Sequence, residues 1–169
     1  MMTTNRLLLL TAVFINLIFV AAARAEIHQY SIQKKNLTEL GFPISFPQLY
    51  FFNGERDLFY ITGGGRGDAI GDLQTFASGL DKKKIARMSQ RPPVADHALW
   101  NDRFKALSKQ LLPARQSLFY DHARVTLVGL ILDLQDYPRC TPCKALIKEM
   151  QALAEKEGLS LTLISRKRQ

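Results

Sequence analysis

Cysteine and histidine are scarce in this chain, which has two cysteines and three histidines among its 169 residues. A structural zinc site usually takes four cysteine or histidine ligands at regular spacings. His28, His97 and His122 show no such spacing, and no second C-x-x-C accompanies Cys140 and Cys143. The H-x-E motif of zinc deaminases is also missing, because Ala98 and Leu99 follow His97 without a glutamate. We therefore expect no metal site.

Two other functional classes lack their motifs. The segment GGGRG at 63–67 has neither the Lys-Ser/Thr of a phosphate-binding loop nor G-x-G-x-x-G spacing, so we interpret it as a chain break after a strand. The net charge is +8, and basic residues concentrate in DKKKIAR (81–87) and SRKRQ (165–169). Aromatic residues that could stack on bases do not interleave with them. We expect solvated surface and no nucleic acid as a partner.

The long apolar run of the chain lies at its start. Arg6 precedes LLLLTAVFINLIFVAAA, and the run ends at Ala23-Arg24-Ala25, a small-x-small pattern. This predicts a signal peptide over residues 1–25, cleaved before Glu26. The alternative is a retained membrane anchor, since the run is near the lower length for spanning. Cleavage would leave no integral membrane segment and, in a bacterium, a periplasmic protein in which disulfides persist.

Residues 26–169 predict a single α/β domain whose first half is a hairpin followed by a helix, over 42–80. A strand near IHQYSI (27–32) comes before it. QLYFF and LFYIT are β-rich runs joined by NGERD, where Asn-Gly favours positive φ. Apolar spacing then predicts a helix over 69–80 with Asp68 as its N-cap.

The second half is a helical linker over 81–122 and a β-α-β unit over 123–169. The linker contains an amphipathic helix at 97–112, with Leu99, Trp100, Phe104, Leu107 and Leu111 assigned to its apolar face. ARVTLVGLILDL is apolar throughout, as a strand buried on both faces should be. The cysteine helix and a strand near 159–165 follow, and together they predict a parallel crossover.

Cys140 and Cys143 sit where this last helix begins. A helix N-terminus carries partial positive charge, which favours a thiolate over a thiol. Cys140 would then be the exposed nucleophile, Cys143 would resolve the mixed disulfide from one turn deeper, and Lys144 would add positive charge. A purely structural disulfide remains the alternative, although closing so short a loop adds little stability.

The segment RCTPCKALIKEMQALAEKEGLSLTLI resembles the active-site helix of thioredoxins and their periplasmic relatives, in which C-x-P-C-K follows a buried strand. Arg139 stands where a tryptophan is usual. The resemblance implies an exported thiol–disulfide oxidoreductase that needs no cofactor and acts on cysteine-containing envelope proteins or on a redox partner protein. It also makes Asp133 a candidate proton relay to Cys143, although the loop between them is one residue longer than in thioredoxins.

A thioredoxin fold continues beyond its β-α-β unit with a cis-proline, a hairpin and a helix. Here the segment 45–80 resembles that half, and it comes first. The resemblance therefore implies a thioredoxin-like three-layer sandwich with its halves in circularly permuted order. Pro47 would be the cis-proline that positions substrate, with strand 48–52 in the same sheet as the redox half. Pro43 is a second candidate, and an unrelated hairpin domain is the rival interpretation.

A second function stays open. The chain could be an assembly or interaction factor of an envelope secretion or conjugation machine, with the disulfide holding its fold. The reactivity of Cys140 separates the two, because only an oxidoreductase needs a reactive thiolate. Oxidants, reductants and isomerases of this kind differ in reduction potential, which depends on how far the thiolate is stabilised.

Overall fold

The fold is mixed α/β, with a five-stranded sheet and four helices in the described residues. The computed structural model describes residues 27–64, 68–79, 94–112, 118, 125–157 and 159–168. The strands are β1 (Ile27–Gln33), β2 (Gln48–Asn53), β3 (Leu58–Gly63), β4 (Val125–Leu132) and β5 (Ser160–Lys167). The helices are α1 (Lys34–Glu39), α2 (Ala69–Gly79), α3 (His97–Leu111) and α4 (Thr141–Glu157).

The strands lie side by side in the order β1-β5-β4-β2-β3. β1 pairs with β5 and β5 with β4 in parallel, whereas β2 is antiparallel to both β4 and β3. The prediction that strand 48–52 joins the sheet of the cysteine half is confirmed, because β2 pairs with β4 along its whole length. Residues of β4 from Val125 to Ile131 are all buried, as its unbroken apolar run predicted.

The two faces of the sheet carry separate apolar cores. On one face, α2 and α4 pack on strand residues such as Leu49, Phe51 and Leu127. On the other face, α1 and α3 pack on the alternate residues, such as Tyr50 and Phe52. Because successive side chains of a strand point to opposite faces, one apolar strand serves both cores.

The predicted β2–β3 hairpin is confirmed, but the expected positive φ at Asn-Gly is not found. The residue with positive φ is Arg56, at 69°. Asn53 organises the turn: its carbonyl accepts the Arg56 N–H at 3.0 Å, and its side-chain oxygen accepts the N–H groups of Glu55 and Asp57. The turn therefore has three loop residues with the left-handed residue last, which moves the positive φ from Gly54 to Arg56.

Helix α3 confirms the predicted apolar face with one exception. Trp100, Phe104 and Leu107 are buried, whereas Leu99 is 52% exposed. Each helical residue advances about 100° around the axis, so Leu99 points away from a stripe that begins at Trp100. Its assignment to the buried face was wrong.

Close packing of α4 on the sheet depends on a glycine. A Cβ added to Gly129 in β4 would lie 2.7 Å from Met150 Sδ and 3.0 Å from Met150 Cε. Real atoms do not approach so closely, so any larger residue would push α4 or its methionine outward. Both atoms belong to the end of a flexible side chain, so Gly129 makes room for Met150 in the present packing and a larger residue would first displace that side chain.

Helix α1 was not predicted, nor was the pairing of β1 with β5. Asp68 is confirmed as the N-cap of α2, because its carboxylate accepts the Ile70 N–H at 3.1 Å. The predicted signal peptide 1–25 and most of the predicted linker outside α3 lie outside the described residues. No helix in the described ranges is long and apolar enough to cross a membrane.

Candidate active site

Cys140 and Cys143 form a disulfide with an S–S distance of 2.04 Å at the start of α4. The loop that carries Cys140 leaves the carboxyl end of β4, which lies in the sheet between β5 and β2. Sites of open α/β sheets lie at this edge, beyond the carboxyl ends of parallel strands. The two cysteines are therefore held by the central strand and the helix packed against it.

Cys140 occupies the N-cap position of α4. Its carbonyl accepts the N–H of Lys144 at 3.1 Å, which is the first hydrogen bond of the helix, and its own N–H donates to Tyr137 O at 3.1 Å. The Cys140 sulfur is thus carried at the helix end whose free N–H groups and dipole favour negative charge. Pro142 lies in the first turn, where its missing N–H removes no helical hydrogen bond.

The two cysteines differ in accessibility. Cys143 has no exposed surface and belongs to the core beneath α4, whereas Cys140 is half-buried. A surface depression of about 460 Å³ lies beside Cys140, lined also by Leu132, Tyr137, Pro138 and Arg139. A partner molecule can therefore approach Cys140, while Cys143 can be reached only from within the protein.

Pro47 lies at the same edge of the sheet as the cysteine loop. It directly precedes β2, whose first residue Gln48 pairs with Leu130 near the end of β4. The Phe46–Pro47 peptide bond is cis, as predicted. The Pro47 carbonyl packs against Gly63 so closely that a Cβ there would lie 2.3 Å from its oxygen. Gly63 has φ +83°, so a side chain at this position is excluded twice.

A chain of side-chain contacts joins the Pro47 segment to the cysteine loop. The Arg166 guanidinium carbon stands 4.9 Å from the centre of the Phe46 ring and 5.4 Å from that of Tyr137. Arg166 also donates a hydrogen bond to the Tyr137 hydroxyl at 3.2 Å. Since Tyr137 accepts the Cys140 N–H through its carbonyl, Arg166 links the Phe46 segment to the loop that carries Cys140.

Asp133 and Lys144 take defined positions near the site. Asp133 follows β4, is half-buried, and accepts the Gln135 N–H at 2.9 Å through its carboxylate. Its backbone N–H donates to Arg166 O at 2.9 Å, which continues the β4–β5 pairing. These contacts give Asp133 a role in shaping the loop, and its role as a proton relay stays a prediction. The side chain of Lys144 is exposed in the first turn of α4.

Sequence reasoning missed Tyr137 and Arg166. Arg166 was counted with a basic tail that was assigned to solvent, yet it is only 8% exposed. The available signal was its place at the end of an apolar strand, LSLTLIS, which the structure extends to Lys167. Among the described residues, no group of three or more histidine, cysteine or acidic side chains is arranged to hold a metal ion.

The geometry defines a candidate thiol–disulfide site: a disulfide at a helix N-terminus with one approachable and one buried sulfur. No protein-family model, curated protein or solved structure matches the chain.

Proposed function

We propose that the protein is an exported thiol–disulfide oxidoreductase that acts on protein cysteines through Cys140 and Cys143. The observation that carries the proposal is the asymmetry of the pair. Cys140 is half-buried beside an open depression, and Cys143 is fully buried one helical turn away. A purely structural disulfide needs no such difference, whereas an exchange reaction needs one sulfur that meets the partner and one that does not.

In the exchange reaction, a Cys140 thiolate attacks a partner disulfide and releases one partner sulfur as a thiolate. Cys143, once deprotonated, attacks the Cys140 sulfur of the mixed disulfide. The Cys140–Cys143 bond forms, and the electron pair of the broken bond leaves with the second partner sulfur. In the reverse direction a partner thiolate attacks Cys140, and Cys143 leaves as the thiolate. A second partner thiolate then attacks the partner sulfur of the mixed disulfide, so that the partner disulfide forms and Cys140 leaves as the thiolate. The helix N-terminus stabilises the negative charge of Cys140 in both directions.

The proposed fold is a thioredoxin-like sheet with its halves in permuted order. Three observations support it: the C-x-P-C-K helix follows a central buried strand, a proline precedes the β2–β3 hairpin with α2 after it, and β2 pairs directly with β4. In this proposal Pro47 positions the backbone of the partner peptide beside Cys140. Support for this role comes from the start of β2 at the carboxyl end of β4 and from the contacts through Phe46, Arg166 and Tyr137.

Trapping of the mixed disulfide tests the proposal. A Cys143→Ser variant keeps the attacking sulfur and loses the resolving one, so it should accumulate a covalent adduct with a disulfide-containing peptide. The matched Cys140→Ser variant keeps only the buried sulfur and should form little adduct. Absence of adduct with Cys143→Ser, at peptide concentrations that modify free cysteine, would contradict an oxidoreductase and favour a structural disulfide.

Export is tested separately by the intact mass of protein recovered from the cell envelope. Cleavage after Ala25 predicts a chain that begins at Glu26. A mass that includes residues 1–25 would instead indicate a retained anchor.

A further inference from the structure

Arg166 stands out because it is a charged side chain inside the protein. It is 8% exposed, and the other buried polar side chains among the described residues are neutral. Burial removes most of the water that normally surrounds a guanidinium, and a charge without water requires other compensation. The contacts of Arg166 therefore determine how its charge is stabilised.

Those contacts supply no negative charge. The guanidinium stands over the rings of Phe46 and Tyr137 and donates one hydrogen bond to the Tyr137 hydroxyl. Its Nε atom is buried without an acceptor in the described part of the chain. Ring faces attract a cation, but less strongly than a carboxylate does at close range. The described residues thus compensate the Arg166 charge incompletely in the disulfide form.

One residue, Tyr137, links this cation to the disulfide. Tyr137, which receives the Arg166 hydrogen bond, accepts the Cys140 N–H through its carbonyl. The disulfide is neutral, whereas its reduced form carries a thiolate at Cys140 once the proton has left. Reduction therefore places a negative charge on the far side of Tyr137 from a buried positive charge, for which the described residues supply no anionic contact.

The elements around the disulfide carry other charged groups, but none is buried. In the loop these are Asp133, Asp136 and Arg139; Lys144 lies in α4, and Asp68 and Asp72 lie at the start of α2. Asp133 and Asp136 accept backbone N–H groups at 2.9 Å and 2.7 Å, and Asp72 accepts the Tyr60 hydroxyl at 3.1 Å. Water screens exposed and half-buried charges more than buried ones, so Arg166 should have a larger effect than these neighbours.

We propose that Arg166 sets the redox poise of the Cys140–Cys143 pair by stabilising the reduced thiolate over the disulfide. Its charge raises the reduction potential of the pair, making it a stronger oxidant, and lowers the pKa of the Cys140 thiol. This inference rests on the proposed function, because it assigns a direction to the same redox pair. Arg166 acts here as a positioning and electrostatic residue, and Cys140 remains the reacting group.

The equilibrium with glutathione measures this effect. Two glutathione thiols reduce the protein disulfide and become glutathione disulfide, so two electrons and two protons enter the cysteine pair. Cys140 then releases its proton to solvent and becomes the thiolate. A unit charge about 12 Å from that thiolate, a separation that one intervening residue allows, changes this equilibrium constant about tenfold at an effective dielectric constant of about 20. For a two-electron couple, a tenfold change is about 30 mV.

The experiment compares four variants with the wild-type protein in glutathione buffers, with free thiols trapped and counted by mass spectrometry. Arg166→Met and Arg166→Gln remove the charge and should lower the equilibrium constant for reduction about tenfold. Arg166→Lys keeps the positive charge, so its equilibrium constant for reduction should be close to that of the wild type. Lys167→Met removes the next, exposed cation of β5 and should change the constant by less than about twofold.

The pKa of Cys140 gives a second readout that a merely structural role would not move. Thiolate absorbance of the reduced protein, followed against pH, should show a higher pKa in Arg166→Met and a nearly wild-type pKa in Arg166→Lys. Equal equilibrium constants in the wild type, Arg166→Met and Arg166→Gln would overturn the inference, as would failure of Arg166→Lys to rescue. The glutathione equilibrium and the mixed-disulfide trap test different proposals. The trap tests whether Cys140 reacts with a partner, and the equilibrium tests whether Arg166 changes the reduction potential of the pair.

Discussion

Phe104 provides a test of how the helix between the two halves is packed. Its ring is fully buried, with centroids 5.0 Å from Phe42, 5.0 Å from Tyr50 and 4.9 Å from Phe52. Phe104→Ala removes a buried aromatic side chain and leaves a cavity, which typically lowers the free energy of unfolding by about 3 to 5 kcal/mol. Edge-to-face contacts with three rings favour the upper part of that range.

Urea unfolding of the oxidised protein, followed by circular dichroism, measures the loss. With a slope of about 2 kcal/mol per molar urea, a loss of about 4 kcal/mol moves the midpoint down by about 2 M. Leu99→Ala on the same helix is the matched control, because Leu99 is 52% exposed. It should change the free energy of unfolding by less than about 0.5 kcal/mol. Equal losses for the two variants would refute the packing of α3 on the sheet.

Two further predictions concern the central strand and the hairpin. Gly129→Ala should lower the free energy of unfolding by about 1 kcal/mol in the same urea assay, because the new methyl group meets the flexible end of Met150, which must move aside. Met150→Ala in the same chain should reduce that loss, and strict additivity of the two changes would contradict the contact. Asn53→Ala should lower the free energy of unfolding by about 1 to 2 kcal/mol, because the Asn53 side chain accepts two N–H groups of the turn. Asn53→Asp keeps the acceptor oxygen and should lower it less. Equal losses for the two variants would show that those hydrogen bonds do not stabilise the turn.

Much of the secondary structure could be predicted because the apolar pattern is strong where burial is one-sided or complete. The unbroken apolar run at 125–132 predicts a strand that is buried on both faces. The spacing of Trp100, Phe104 and Leu107 predicts a helix with one buried face. The exposure of Leu99 and the positive φ of Arg56 were not predicted. Leu99 is one residue outside the stripe, and the positive φ depends on hydrogen bonds that Asn53 makes across the turn.

The candidate site was predicted in part for the same reason. The C-x-x-C spacing and the start of the helix were predictable because both depend only on residues 140–144. The contact of Arg166 with Phe46 and Tyr137 joins segments that lie far apart along the chain. Such a contact follows from the pairing of β5 with β4 and the placement of β2 beside β4, which no local pattern specifies.

The reactivity of the two reduced thiols tests the central claim most directly. The protein is reduced and exposed to an alkylating reagent at mildly acidic pH, and the modified cysteine is identified by peptide mass spectrometry over time. A thiolate-stabilised, approachable Cys140 and a buried Cys143 predict that Cys140 is labelled well before Cys143. Equal, slow labelling of both cysteines would contradict a redox site and indicate a structural pair.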